Sequence, residues 1–394
     1  MEPGPTKPPA TIVSMEGKVR LEIEATGRDT GPGKRSGVFF NPAMVQNRDL
    51  SVVIVQHLLE MEQLPGKRRR ILDGLCGSGV RALRLLLETD LKGNGIEIIG
   101  TDIDPSSIQK AEMLNSLNHL DVEFIREDLN SHLVKERYSY IDIDPFGSPL
   151  PFLANGIAGT LNGGILAFTA TDTAALSGSI PRVARRRYGV EISMTHFYQE
   201  MSCRSILGYL ARVAGSLDKG LEPLFVYSSD HFIRGYVRIN RGARKADLTL
   251  DNVGWMDYEF PRPPMTIGHI PDTDHRRSGE YMGPIWTGPL EDFVFLQSLR
   301  TMLDDIERWG YLSSLKMIIR MIGRGMEESD LPAGGYDINE TSSYLKVSPP
   351  SMGQLKAGIE EMGGRFARSR FSPTIFKTDL GWDKVGCLFR KGGG

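Results

Sequence analysis

The chain has little cysteine: three residues in 394, Cys76, Cys203 and Cys387, with no Cys-x-x-Cys pair. That excludes a disulfide framework and a cysteine-only zinc site, and it fits a reducing, cytoplasmic setting. No run of about eighteen apolar residues occurs, so no membrane span is expected. Met1 to Ala10 carries four prolines and no apolar stretch, so no signal peptide is expected and the start, residues 1–15, reads as disordered. Internal repeats are absent, and nothing calls for an obligate protein partner. Net charge is nearly absent as well, 47 Lys and Arg against 49 Asp and Glu leaving −2. What is present is an ordinary folded composition, 40% hydrophobic and 24% charged, which excludes disorder of the whole chain and coiled coil. The length suggests two or three domains at roughly 150 residues each.

Charge is unevenly placed. From Thr341 onward nine basic residues face four acidic ones, which suggests a polyanion-binding end on a mildly acidic body. Residues 68–172 alternate β-rich runs (70–73, 97–102, 122–126, 138–144, 164–171) with helical segments (80–88, 106–117), the pattern of a parallel sheet covered by helices. Two further runs, 223–228 and 235–240, suit an edge hairpin and complete a mixed seven-stranded α/β sheet. Residues 252–289, rich in Pro, Gly, Asp and aromatics, read as a connecting region without long elements. Beyond it, 290–309, 314–321 and 351–362 read as helices of an α+β second domain, and 367–389 as a short hairpin carrying cations.

The run Asp73-Gly74-Leu75-Cys76-Gly77-Ser78-Gly79 puts an acid at a strand end and three glycines in the turn to a helix. Its spacing, G-x-x-G-x-G, differs from the G-x-G-x-x-G that cradles a dinucleotide pyrophosphate. An adenosyl cofactor without phosphate needs such a turn beside its aminoacyl end and a carboxylate at the next strand end for its ribose. Asp102 suits the ribose and Asp128 the adenine edge. A tight strand-to-helix corner would satisfy the same glycines without any ligand, but three acidic strand ends in succession favour the cofactor. Cys76 reads as a small buried residue, not a nucleophile.

At the end of the fourth strand stands Asp144-Pro145-Phe146-Gly147-Ser148-Pro149, which resembles the Asp/Asn-Pro-Pro-aromatic turn of methyltransferases acting on exocyclic base amines. The amine lone pair is delocalised into the ring, so acceptors on its N–H groups must return density to nitrogen. Asp144 and the Pro145 carbonyl can supply two, and Asp144 can take the proton lost. Phe146 offers a stacking face worth about 1–3 kcal/mol. Arg182, Arg185, Arg186 and Arg187 are candidate phosphate contacts, or a solvated helix face.

Glu16-Gly17, Phe39-Phe40-Asn41-Pro42-Ala43-Met44-Val45-Gln46-Asn47-Arg48-Asp49, the glycine turn, Thr101-Asp102-Ile103, the Asp144 turn, Gly283-Pro284-Ile285-Trp286-Thr287-Gly288-Pro289-Leu290 and Phe371-Ser372-Pro373-Thr374-Ile375-Phe376-Lys377-Thr378-Asp379 follow in that order. Together they resemble the tRNA guanine-26 N2-dimethyltransferase family. The resemblance implies a class I (Rossmann-like) methyltransferase domain over 16–275, a tRNA-binding domain over 276–394, and S-adenosylmethionine as methyl donor. It implies that Arg48 and Arg81 hold the methionine end of the cofactor, a structural salt bridge being the alternative for each, Asp102 the ribose, and Asp128 with Leu129 the adenine. Asp144 becomes the catalytic acid, with Phe39 and Phe146 bracketing a flipped guanine. Many members carry a cysteine-rich zinc insertion that this chain lacks, and His269, His275, Asp272 and Asp274 read as a polar linker, so no metal is expected. The alternatives are methylation of a neighbouring tRNA guanine and a non-catalytic tRNA-binding factor.

Overall fold

The computed structural model describes residues 11–24, 41–229, 231–269 and 281–392. Seven strands form the main sheet: β1 (Arg70–Gly74), β2 (Glu97–Asp102), β3 (Glu123–Arg126), β4 (Tyr138–Ile143), β5 (Thr160–Ala170), β6 (Lys219–Ser228) and β7 (Ile233–Arg241), in the order β3-β2-β1-β4-β5-β7-β6. β1, β2 and β3 pair in parallel, whereas β7 runs antiparallel to both β5 and β6. This is the class I methyltransferase fold expected from the sequence. β4 is buried along its whole length, as a strand covered on both faces must be. No helix among the described residues is long and apolar enough to cross a membrane.

Packing divides the chain into two compact units, Met1–Asp142 with Asp305–Ile318, and Ile143–Asp304 with Ile319–Gly394. The boundary placed at 275/276 lies outside the described residues, as does the proline-rich start to residue 10.

In the first unit, α1 (Val45–Glu60) is buried from Asn47 to Leu59. A helix covered on all sides must pair its polar groups, and these are paired: Gln56, for example, donates to Asp90 at 2.7 Å and accepts the Asp90 amide at 2.9 Å. α2 (Val80–Glu88) follows the glycine turn. α3 (Pro105–Leu117) and α4 (Leu129–Lys135) are capped by Asp104 and Asp128, whose side chains accept from Ser106 and Ser131 amides. Residues 11–15, expected to lack fixed structure, instead form strand Thr11–Glu16, paired with Val19–Glu24. The apolar alternation of Val19, Leu21 and Ile23 and a turn glycine, Gly17 at φ +56°, explain the hairpin.

In the second unit, helix Tyr198–Gly215 packs on strand Tyr281–Trp286. A Cβ on Gly208 would lie 2.8 Å from the Ile285 backbone, so glycine sets the approach. The segment 252–289 is more ordered than expected: Val253–Asp257, Met265–Ile267 and Tyr281–Trp286 form a three-stranded antiparallel sheet that buries Met256, Met282 and Ile285. The helix expected over 290–309 is two helices, Phe293–Met302 in this unit and Ile306–Trp309 in the first, with Asp292 and Asp305 as their N-caps. Of the hairpin expected over 367–389, Phe366–Arg368 pairs with Ile375–Thr378, while Trp382–Gly392 is a helix. That helix closes a small core with Ile338, Leu355, Ile359 and Phe376.

Candidate functional site

In the first unit the glycine turn is a worked piece of backbone. Leu75, Gly77 and Gly79 all have positive φ, +62°, +55° and +73°. A Cβ on Gly79 would sit 2.7 Å from the Phe124 ring, and one on Gly100 of β2 2.5 Å from the same ring. Two glycines thus make room for one phenylalanine. Asp102, at the end of β2, accepts the Gly77 amide on Oδ2 and the Asp104 amide on Oδ1, each at 2.9 Å. A carboxylate has about four acceptor positions, so these two bonds fix its plane and leave it able to accept hydroxyls. Asp73 accepts the Ala82 amide at 3.2 Å at the start of α2. Asp128 accepts from the amide and hydroxyl of Ser131 (2.9 and 3.2 Å). Leu129 is buried against Gly74. Burial, then Asp73 and Asp102, push the Cys76 thiol up, so it stays protonated.

The two arginines expected at the cofactor's methionine end are held by protein groups. Arg48 grips Glu16 with Nε and Nη2, both at 2.6 Å, and donates to the Asn41 carbonyl at 3.0 Å. Arg81 donates to Asn47 (3.0 Å) and Ser51 (2.7 Å) and lies 3.6 Å from Asp73 and 3.4 Å from Asp142. Behind them sits Arg84, fully buried, against Glu16, Asp49 and Glu88 at 3.0, 2.7 and 2.9 Å. Burial opposes ionisation of Glu16, but Arg48 and Arg84 outweigh it and hold its carboxyl below the usual range. Asp49 also accepts the Ser314 amide at 2.9 Å. Asn47, Arg48 and Asp49 therefore form the polar interior of this unit, with Arg84 at its centre. Arg84, next to the expected Arg81, was not singled out in the sequence, where it looks like one more helix arginine.

In the second unit, Asp144 and Pro145 are half-buried and Phe146 is 68% exposed. Exposure matters here because a large apolar ring left two-thirds in water offers a face on which a planar base can stack. The turn under that ring is fixed: Gly147, at φ +82°, donates to Thr171 Oγ1 at 2.7 Å and accepts the Thr171 amide at 2.9 Å. Ser148 Oγ lies 2.9 Å from Tyr188 Oη, which donates to both oxygens of Asp172 (2.7 and 2.8 Å). Burial first, and Asp172 second, push the Tyr188 hydroxyl far above its usual range, so it remains a donor. Ser148 lies in the Asp144 motif but has no role legible there, and Thr171, Asp172 and Tyr188 carry no motif at all. Helix Pro181–Tyr188 exposes Arg182, Arg185, Arg186 and Arg187. Phe39 lies outside the described residues, as do Asp272, Asp274 and His275. Among the described residues no group of His, Cys, Asp or Glu could hold a metal ion.

A family model described as N2,N2-dimethylguanosine tRNA methyltransferase matches residues 17–390. The chain is 33% identical over 383 residues to the tRNA (guanine(26)-N(2))-dimethyltransferase of Methanothermobacter thermautotrophicus, an alignment that covers 95% of this chain and 97% of that one. It is 33% identical over 363 residues to the protein of the same name from Pyrobaculum arsenaticum, 90% and 91% covered. The structure of Trm1 from Pyrococcus horikoshii in complex with S-adenosyl-L-methionine superposes with a TM-score of 0.82 at 26% identity, over 96% of this chain and 99% of that one.

Proposed function

The chain belongs to the N2,N2-dimethylguanosine tRNA methyltransferase family, and from that premise we propose that it transfers one or two methyl groups from S-adenosylmethionine to N2 of the guanine at position 26 of tRNA. Trm1 holds this cofactor in its complex, and the residues present here fit it. Asp102, fixed by two backbone amides yet with acceptor capacity to spare, would take the ribose hydroxyls. Asp128 and Leu129 would meet the adenine, and Arg48 and Arg81 the methionine end, Arg48 from a plane set by Glu16. When bound, the cofactor supplies a methyl group on a positively charged sulfur.

The chain's own work is on the base. Guanine must leave the stack to be reached, and the exposed ring of Phe146, with Phe39, receives it. Asp144 accepts an N2 hydrogen, as does the Pro145 carbonyl, which turns the nitrogen lone pair out of the ring. Asp144 then takes the proton lost on transfer. It serves the second round equally, because monomethylguanine keeps one N–H. The exposed basic residues beyond Thr341, which exclude the buried, ion-paired side chains of Arg370 and Lys377, hold the tRNA backbone without reading sequence, so binding weakens with salt. We place the reaction in the cytoplasm, where three unpaired thiols are at home.

The observation that carries this reading is the Asp144–Phe146 turn, a carboxylate beside an aromatic ring that the fold leaves in water. Incubation with labelled S-adenosylmethionine and unmodified tRNA, followed by nucleoside analysis, tests it. N2-methyl- and N2,N2-dimethylguanosine at position 26 are expected, and label at a neighbouring guanine, or none, refutes it.

A further inference from the structure

The helix Pro181–Tyr188 contains four arginines and no acid. Arg185 is paired with Glu191 at 2.6 Å and Arg187 with Asp172 at 3.3 Å. Arg182 and Arg186, both exposed, pair with no carboxylate among the described residues. They lie four residues apart and so share one face, where like charges repel. The helix dipole favours cations in the last turn but disfavours Arg182 in the first. Nothing in the fold therefore asks for this pair, and a polyanion relieves both costs.

The helix ends in a latch. Tyr188, its last residue, is fully buried, and its hydroxyl joins Asp172 to Ser148 through bonds of 2.7 to 2.9 Å. Thr171, the residue before Asp172, holds Gly147 by two backbone-directed bonds. The turn that carries Asp144 and Phe146 is thus pinned at two successive residues, 147 and 148, by two successive residues, 171 and 172. One of those pins passes through the arginine helix.

We propose that Tyr188 and Asp172 are positioning residues for the Asp144–Ser148 turn, and that through them the Arg182–Arg186 face, seated on backbone phosphates of the substrate RNA, sets that turn for methyl transfer. This rests on the function proposed above. Phosphate binding and base chemistry are then coupled, and a double-mutant cycle measures the coupling.

Tyr188→Phe is expected to lower kcat about tenfold, the factor one hydrogen bond to a charged group is worth, with the KM for tRNA and the Kd for S-adenosylmethionine unchanged. Arg182→Ala with Arg186→Ala is expected to raise the KM for tRNA and also to lower kcat at saturating tRNA. In the Tyr188→Phe background the same arginine changes should raise KM alone. A kcat untouched by the arginine changes, or effects on kcat that simply multiply, would overturn the proposal. Ser148→Ala, a partly exposed change, repeats the test should Tyr188→Phe fold poorly, and Ser148→Thr should restore kcat. Hydrogen exchange of residues 144–149, measured without RNA, should quicken in Tyr188→Phe and Ser148→Ala, and unchanged exchange overturns the latch. A wild type that methylates no tRNA would instead refute the functional reading, while the exchange result still decides the latch.

Discussion

Glu200, on helix Tyr198–Gly215, is fully buried and faces Lys377 and Arg204, each at 2.8 Å. Lys377 belongs to the Phe371–Asp379 motif, and its neighbours Glu328, Arg370 and Glu291 extend the cluster through contacts of 3.7, 3.0 and 2.6 Å. Burial works against ionisation of Glu200, but Lys377 and Arg204 outweigh it and bring the carboxyl from an ordinary 4.5 to about 2. At about 1.36 kcal/mol per unit, the charged form contributes roughly 3 kcal/mol to the folded state, in line with the about 3–5 kcal/mol lost when one partner of a buried pair is removed. Because the folded value is depressed, this stability is present in full above about 4.5 and is lost as pH falls through about 2. Glu200→Gln should therefore cost roughly 3 kcal/mol in urea unfolding at pH 7. The gap from wild type should shrink steadily between about pH 4.5 and pH 2. A loss below about 1 kcal/mol at pH 7, or a gap that does not change with acid, would refute the reasoning.

Four further outcomes are expected. Asp144→Ala should yield no methylated guanosine while calorimetry shows unchanged cofactor affinity, separating chemistry from binding. Asp102→Ala should abolish the calorimetric signal for S-adenosylmethionine, because it removes the acceptor for two turn amides and, as proposed, for the ribose. Phe146→Ala should leave urea unfolding within about 0.5 kcal/mol of wild type, as an exposed ring allows. Its kcat/KM for tRNA should still fall about tenfold or more from lost stacking. Gly79→Ala should destabilise the protein by about 1–3 kcal/mol in the same unfolding assay, since φ is +73° and the new Cβ meets Phe124.

The main sheet was legible because its strands are short β-rich runs, most of them largely buried, punctuated by turn residues. Asp292 and Asp305 misled the reading of 290–309 because an acid among apolar residues looks like helix surface until its side chain is seen to cap a helix start. The strands of 253–286 hid behind prolines and glycines, since three to six residues are too few to show alternation. Asp102 could be placed at a strand end from sequence, but its hold on Gly77 needed the fold. The Ser148, Asp172 and Tyr188 latch joins residues 16 and 40 positions apart, a separation across which no local pattern can speak. Arg48 and Arg81 were visible as cations, whereas Glu16, Asp73 and Asp142 as their partners were not.

Phe124 reaches over both Gly79 and Gly100, and this has an evolutionary consequence. The three positions form one unit of heritable change. With the aromatic ring at 124 a side chain at either glycine is costly, so a lineage that replaces Gly100 does so most cheaply after shrinking the side chain opposite, whereas Gly79 is held also by its φ and by Ala111. Gly79 is thus constrained twice, once by the positive φ of its turn and once by what packs behind it. A relative that had abandoned the reaction would still keep Gly79 for as long as it kept the ring.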